Sequence, residues 1–222
     1  MSVFSGTASK GGGGDEYDIP PAGSFAAALV AIIDLGTHRE EFQGKSKDVR
    51  KVFLVWELPG EKISGTGNNH VIGREFSLSF TPKSILRIFA EKWRGKSYNE
   101  GETIDIAKML GKSCLLSIIH ATSKSSGSEF AKADSVSQLP KGMTVGATQH
   151  KPFLWELDSA EDPPQHTWLP FIFGSPVHEK IHRSKEWIAA HAGKPQSANG
   201  QPQPAQQPQQ PLTGTPQAEV PF

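Results

Sequence analysis

Residues 24–35, Ser-Phe-Ala-Ala-Ala-Leu-Val-Ala-Ile-Ile-Asp-Leu, constrain the fold more than any other part of the chain. The run is small, β-branched and apolar on both faces, which predicts a strand covered on both sides and placed centrally in a sheet or barrel. Its longest apolar stretch, from Phe25 to Ile33, is far too short to span a bilayer, so no membrane partner is expected. A central strand needs neighbours. Residues 49–58 predict the next one, with Val52, Leu54, Trp56 and Leu58 on one face and Lys51, Phe53, Val55 and Glu57 on the other. Residues 71–80 predict a third, half-buried strand, with Ile72, Phe76, Leu78 and Phe80 of one parity and Glu75, Ser77 and Ser79 of the other. The polar, basic stretch 36–48 reads as a loop, and 59–69 as a Gly-rich turn region.

Thr81-Pro82 then predicts a helix start, Thr81 as N-cap and Pro82 in the first turn, with Ile85, Ile88, Phe89 and Trp93 as its apolar stripe. A short helical pattern over 104–110 stops at Gly111. Residues 113–120 and 130–139 read as two further strands joined by a polar turn over 122–128. Three strands, a helix and two strands is the order of an OB-fold. The expected class is therefore mainly β: a five-stranded OB-fold-like barrel with a helix between strands 3 and 4, plus a C-terminal helix and disordered tails.

Four regions follow from composition. Residues 1–16 are a flexible arm containing Gly11 to Gly14, and 17–147 form the barrel domain. Residues 148–192 are an aromatic extension with Phe153, Trp155, Trp168, Phe171 and Phe173, followed by an amphipathic helix from 175 to 192 whose apolar face holds Val177, Ile181, Ser184 and Ile188. Residues 193–222 are Gln, Pro, Gly and small residues that cannot build a core and are expected to be disordered. Formal net charge is zero, with 23 basic and 23 acidic residues, and the barrel region is only mildly basic, 17 Lys and Arg against 14 Asp and Glu. The single cysteine, Cys114, lies in an apolar run and reads as a buried thiol. With no signal-peptide core at the start, it suits a cytoplasmic protein, the host cytoplasm if phage-encoded.

Several short motifs carry a resemblance. They are Ile19-Pro20-Pro21-Ala22-Gly23, Ile32-Ile33-Asp34-Leu35-Gly36, Val55-Trp56-Glu57-Leu58, Phe76-Ser77-Leu78-Ser79, Trp93-Arg94-Gly95-Lys96, Leu110-Gly111-Lys112 and Ser184-Lys185-Glu186-Trp187. In this order, over roughly 17–190, the chain resembles a family of bacteriophage replication and recombination proteins taken to be OB-fold binders of single-stranded DNA. The terminal Glu219, Val220, Pro221 and Phe222, after a low-complexity linker, resemble instead the tip of bacterial single-stranded-DNA-binding proteins, although those tips carry a run of acids. The resemblance implies sequence-tolerant binding of single-stranded DNA, and a tip that recruits replication or recombination proteins. DNA rather than RNA is implied by the resemblance alone. No cofactor is implied, and an oligomer is possible.

A single strand needs cations for its phosphates and flat apolar faces for its bases. Around the second strand the candidates are Lys45, Lys47, Arg50 and Lys51 with Phe53 and Trp56. Phe53 is the stacking candidate because it shares the less apolar face with Lys51; the alternative is a second, helix-covered core. Trp56 stacks only if the faces are inverted. Arg74, Arg94, Lys96 and Lys112, at strand ends and loops, are further phosphate candidates, with His38 and Arg39 in a weaker tier.

Two other classes stand beside this one. His178-Glu179-Lys180-Ile181-His182 matches the His-Glu-x-x-His pattern of zinc peptidases, but Lys185 and Ile188 stand where the extended pattern needs Gly and His, and no downstream Glu supplies a third ligand. The expectation is a non-enzymatic protein without a metal. The remaining class is a protein-interaction module with no affinity for nucleic acid.

Overall fold

The computed structural model describes residues 18–124, 127–157 and 176–192. β1 (Gly23–Phe42) is its spine. It pairs antiparallel with β2 (Lys45–Lys62) from Ala28 to Phe42, and with β4 (Ser113–Thr122) from Gly23 to Ala28. β3 (Asn69–Ser77) pairs with β2, and β5 (Glu129–Ser137) with β4, giving the order β3-β2-β1-β4-β5. A short β6 (Phe153–Trp155) lies parallel to β1, Ala31 opposite Phe153. α1 (Ile85–Arg94) and a 3-10 turn (Ile106–Met109) fall between β3 and β4. The central strand and the helix between the third and fourth strands are as expected.

The ladder does not close into a barrel. β3 and β5 remain edges in hydrogen bonding, and a side chain bridges them instead. Arg74 donates from Nη1 to the carbonyls of Ala133 at 2.8 Å and Asp134 at 2.6 Å, and its guanidinium stands 5.0 Å from the ring centres of Phe76 and Phe89.

The sheet has two cores because β1 and β2 are buried on both faces. The first holds Leu29, Ile32, Leu54, Trp56, Ile72, Phe76 and Leu116, sealed by Leu86, Phe89 and Trp93 of α1. Each such side chain contributes about 1.5–3 kcal/mol by leaving water. The second holds Val30, Ala31, Ile33, Leu35, Phe53 and Val55 beneath Leu157 and the helix α2 (Pro176–His182), which supplies Val177 and Ile181. A register shift between Leu29 and Ala31 is what puts the consecutive Val30 and Ala31 into the same core.

Three local expectations are corrected. The basic loop 36–48 is instead a continuation of β1 and β2, turned by Gln43 and Gly44 at φ 51° and 72°. Its faces are largely wet, so it lacks the apolar alternation that marks a strand, and pairing alone makes it one. α1 begins at Ile85 with Ser84 as N-cap, its side chain accepting from the Arg87 N–H, so Leu86 and Ala90 are buried while Ile85 and Ile88 are exposed. The single C-terminal helix is two, α2 and α3 (Lys185–His191), because Ser184 caps the second by accepting from the Trp187 N–H. That break leaves Ile188 exposed. Ser184 is fully buried where Gly36, at φ 75°, gives it room: a Cβ there would stand 2.4 Å from that of Ser184. Trp168, Phe171 and Phe173 lie outside the described residues, as do the arm and the Gln/Pro tail. Among described residues, no helix is long and apolar enough to cross a membrane.

Candidate nucleic-acid interface

The hairpin end of β1 and β2 presents Lys45 and Lys47 to solvent, with Glu40 opposite Lys47. The cations further along β2 are already engaged. Arg50 holds both carboxylate oxygens of Asp34, donating from Nε at 3.2 Å to each and closing a shorter contact from Nη2. That hydrogen bonding raises its pKa above the ordinary guanidinium value. Asp34 also accepts from the Gly36 N–H at 3.0 Å and the Leu157 N–H at 3.3 Å. Lys51 is 8% exposed, paired with Glu40 and, at 3.5 Å, with Glu75. Its hydrogen bond holds Glu40 below the usual carboxylate range. Glu75 in turn accepts from Lys180 of α2 at 2.6 Å, and Lys185 of α3 pairs with Asp48. Arg50 and Lys51 are thus engaged by carboxylates of the sheet, and Glu75 and Asp48 take the lysines that dock the C-terminal helices.

Phe53 and Trp56 are corrected as stacking residues: both are 0% exposed, and neither has a face for a base. Phe53 belongs to the second, helix-covered core. Trp56 packs at 6.0 Å from Phe89 and 6.3 Å from Trp93 between ring centres, its buried Nε1 without a hydrogen-bond partner.

Arg74 spends its guanidinium on the Ala133 and Asp134 carbonyls. Arg94 pairs with Glu102 at 2.5 Å and covers Tyr98. Lys96 and Lys112 are exposed. They stand at the end of α1 and the start of β4, where the Lys112 carbonyl accepts from the Leu29 N–H. Along β1, Leu29 lies on the order of 40 Å of extended strand from Phe42, the partner of Lys45. The ten positions therefore do not converge on one groove. His38 turns its Nε2 to the Leu35 carbonyl at 2.9 Å, and Arg39 is exposed.

One surface escaped the sequence reading. Leu115, Ser117 and Ile119 share a face of β4, opposite Ser137, Ser135 and Lys132 of β5, with Ile119 41% exposed. The parity alternation of Cys114, Leu116 and Ile118 against Leu115, Ser117 and Ile119 is the signal that marks it.

On α2, Glu179 pairs with Arg183 at 3.0 Å. His178, His182, Trp187 and His191 form a column with successive ring centres 4.0, 4.2 and 4.1 Å apart. Among the described residues, no group of three or more His, Cys, Asp or Glu side chains gathers to hold a metal. Burial pushes the Cys114 thiol well above its ordinary pKa, which disfavours the nucleophilic thiolate. The tip residues Glu219, Val220, Pro221 and Phe222 lie outside the described residues. In comparison with known proteins, no family model, no curated protein and no solved structure matches the chain.

Proposed function

We propose that the protein binds single-stranded DNA with little sequence preference, through its open OB-fold-like sheet, and recruits replication or recombination proteins through Glu219, Val220, Pro221 and Phe222. The observation that carries this reading is topological: strand order β3-β2-β1-β4-β5, a helix between β3 and β4, and two edges drawn together by Arg74. In this reading the exposed Lys45, Lys47, Lys96 and Lys112 meet phosphates, and the open face of β4 and β5, with Ile119 and Leu115, takes the apolar contacts that Phe53 and Trp56 cannot make. The restriction to DNA rests on the resemblance alone.

The test is fluorescence anisotropy of a labelled oligo-dT at about 50 and about 200 mM salt. Saturable binding that weakens with salt supports the reading; no binding at the lower salt sinks it. A specific observation favours a second reading, a protein-interaction module: Arg50, Lys51, Arg74 and Arg94 are all held by groups of the protein itself. Such a module would show no salt-dependent affinity for the oligonucleotide.

A further inference from the structure

The hairpin end of β1 and β2 runs past the strands that flank it. β4 pairs with β1 from Gly23 to Ala28, β6 pairs with it from Ala31 to Ile33, and β3 pairs with β2 only as far as Lys51. Among the described residues, 37–42 and 45–49 therefore ladder only with each other. A two-stranded ribbon of this kind is marginally stable in water by itself. Glu40 with Lys51, and His38 with the Leu35 carbonyl, are contacts within β1 and β2 and tie the ribbon to no other element.

The start of α3 grips the root of that ribbon on both strands. On β1, Thr37 donates its N–H to Glu186 Oε2 at 2.7 Å and its hydroxyl to Oε1 at 2.6 Å. The carboxylate takes a backbone donor as well as a side-chain one, so it fixes the strand itself. On β2, Asp48 pairs with Lys185. Ser184, the residue before, is fully buried against Gly36, where a side chain would leave it no room. Burial by itself would raise the Glu186 carboxyl, but the Thr37 hydroxyl and N–H, with Arg50 nearby, outweigh it and hold the carboxyl below its ordinary range. The clamp is therefore charged at neutral pH. Its leverage is large: from Thr37 to Phe42, the partner of Lys45, is roughly 17 Å of strand, so a swing of about 15° at the root moves the tip by roughly 4 Å, enough to lose a hydrogen-bonded phosphate.

We propose that Glu186 is a positioning residue for strand binding: with Ser184 and Lys185 it clamps the ribbon root to α3 and holds Lys45 and Lys47 in one pose before a strand arrives. This rests on the reading of the protein as a single-strand binder, and adds to it a control of the hairpin by the C-terminal helix. The experiment compares the full chain with Glu186→Ala, Glu186→Gln and Thr37→Val, by hydrogen exchange with mass spectrometry in the absence of DNA and by oligo-dT anisotropy at about 50 and about 200 mM salt. Thr37→Val removes only the hydroxyl contact, and it carries the test if Glu186→Ala does not fold. In Glu186→Ala, exchange at 38–49 is expected to be about fivefold faster with 28–33 unchanged, and oligo-dT binding about threefold to tenfold weaker at an unchanged salt slope. Glu186→Gln and Thr37→Val should fall between it and the unaltered chain. The slope counts the phosphates met, while a pre-set pose lowers the cost of meeting them, so weaker binding at constant slope marks positioning. Removing a negative charge would by itself favour a polyanion, so charge cannot account for the loss. Equal affinity in all four proteins overturns the proposal and leaves the strand-binding reading standing. Weaker binding without faster exchange at 38–49 overturns the clamp as its cause. No binding by the unaltered chain at the lower salt defeats the strand-binding reading, and the positioning role falls with it.

Discussion

The Phe53 ring lies against Gly73 of the neighbouring strand, so closely that a Cβ on Gly73 would stand 2.4 Å from the ring's Cζ. Gly73 is there for space and not for a special backbone angle. Gly73→Ala therefore overpacks the second core, and a loss of about 1–3 kcal/mol is expected from the denaturant midpoint. Adding Phe53→Leu to that variant should return part of the loss, a coupling that a double-mutant cycle reads directly. Independent, additive losses would contradict the contact.

Arg74 ties β3 to β5 where no backbone ladder does. Arg74→Gln leaves the Ala133 and Asp134 carbonyls without this donor and is expected to cost about 2 kcal/mol. The same variant should speed amide exchange along β5 more than along β1, since only the seam is opened. Uniform acceleration would mean that the bridge is not local.

Glu57 should make the fold acid-sensitive. It is fully buried, and burial alone would raise its pKa. The Gln149 N–H at 2.7 Å, the Asn69 side-chain amide and His150, through its N–H at 3.1 Å and Nδ1 at 2.8 Å, outweigh that and hold the carboxyl below its ordinary range. A depressed folded pKa gives stability that is present above the unfolded carboxyl value, roughly 4.3, and lost as pH falls through the folded one. The unfolding midpoint should therefore drop below about pH 4. Glu57→Gln should flatten part of that drop while lowering stability at neutral pH. Glu40 and Glu186, also held below the usual range, are among the carboxylates that keep the rest. An unchanged acid profile in Glu57→Gln would remove Glu57 from the account.

Charge reversal at the hairpin end addresses the proposed strand binding. Lys45→Glu with Lys47→Glu should weaken oligo-dT binding at low salt and reduce the salt slope by about 0.7 for each lysine that meets a phosphate. Phe53→Leu, buried in the second core, should alter stability without altering that slope. A slope unchanged by the lysine variants would take the hairpin out of the interface.

Local pattern was enough for much of the fold. The two-faced apolar run of β1, the inward parity of Val52, Leu54, Trp56 and Leu58, and a helix between the third and fourth strands are written in neighbouring residues, because burial on one face repeats every second residue of a strand. The hairpin between 36 and 48 was not legible, since its strands are made by pairing and not by a dry face.

Local residue pattern settles which segments are apolar enough to be buried and in what order they come. Long-range packing settles what covers them and which charges are left over. Phe53 looked open beside Lys51 because the helix that buries it, with Ile181 and Val177, is more than a hundred residues away in the chain. Arg50 and Lys51 looked free because Asp34 and Glu75 are brought to them by strand register, and Lys180 reaches Glu75 across 105 residues. Desolvation and ion pairing act between groups close in space, so a cation's availability to a ligand is settled by long-range packing and not by its neighbours in the chain.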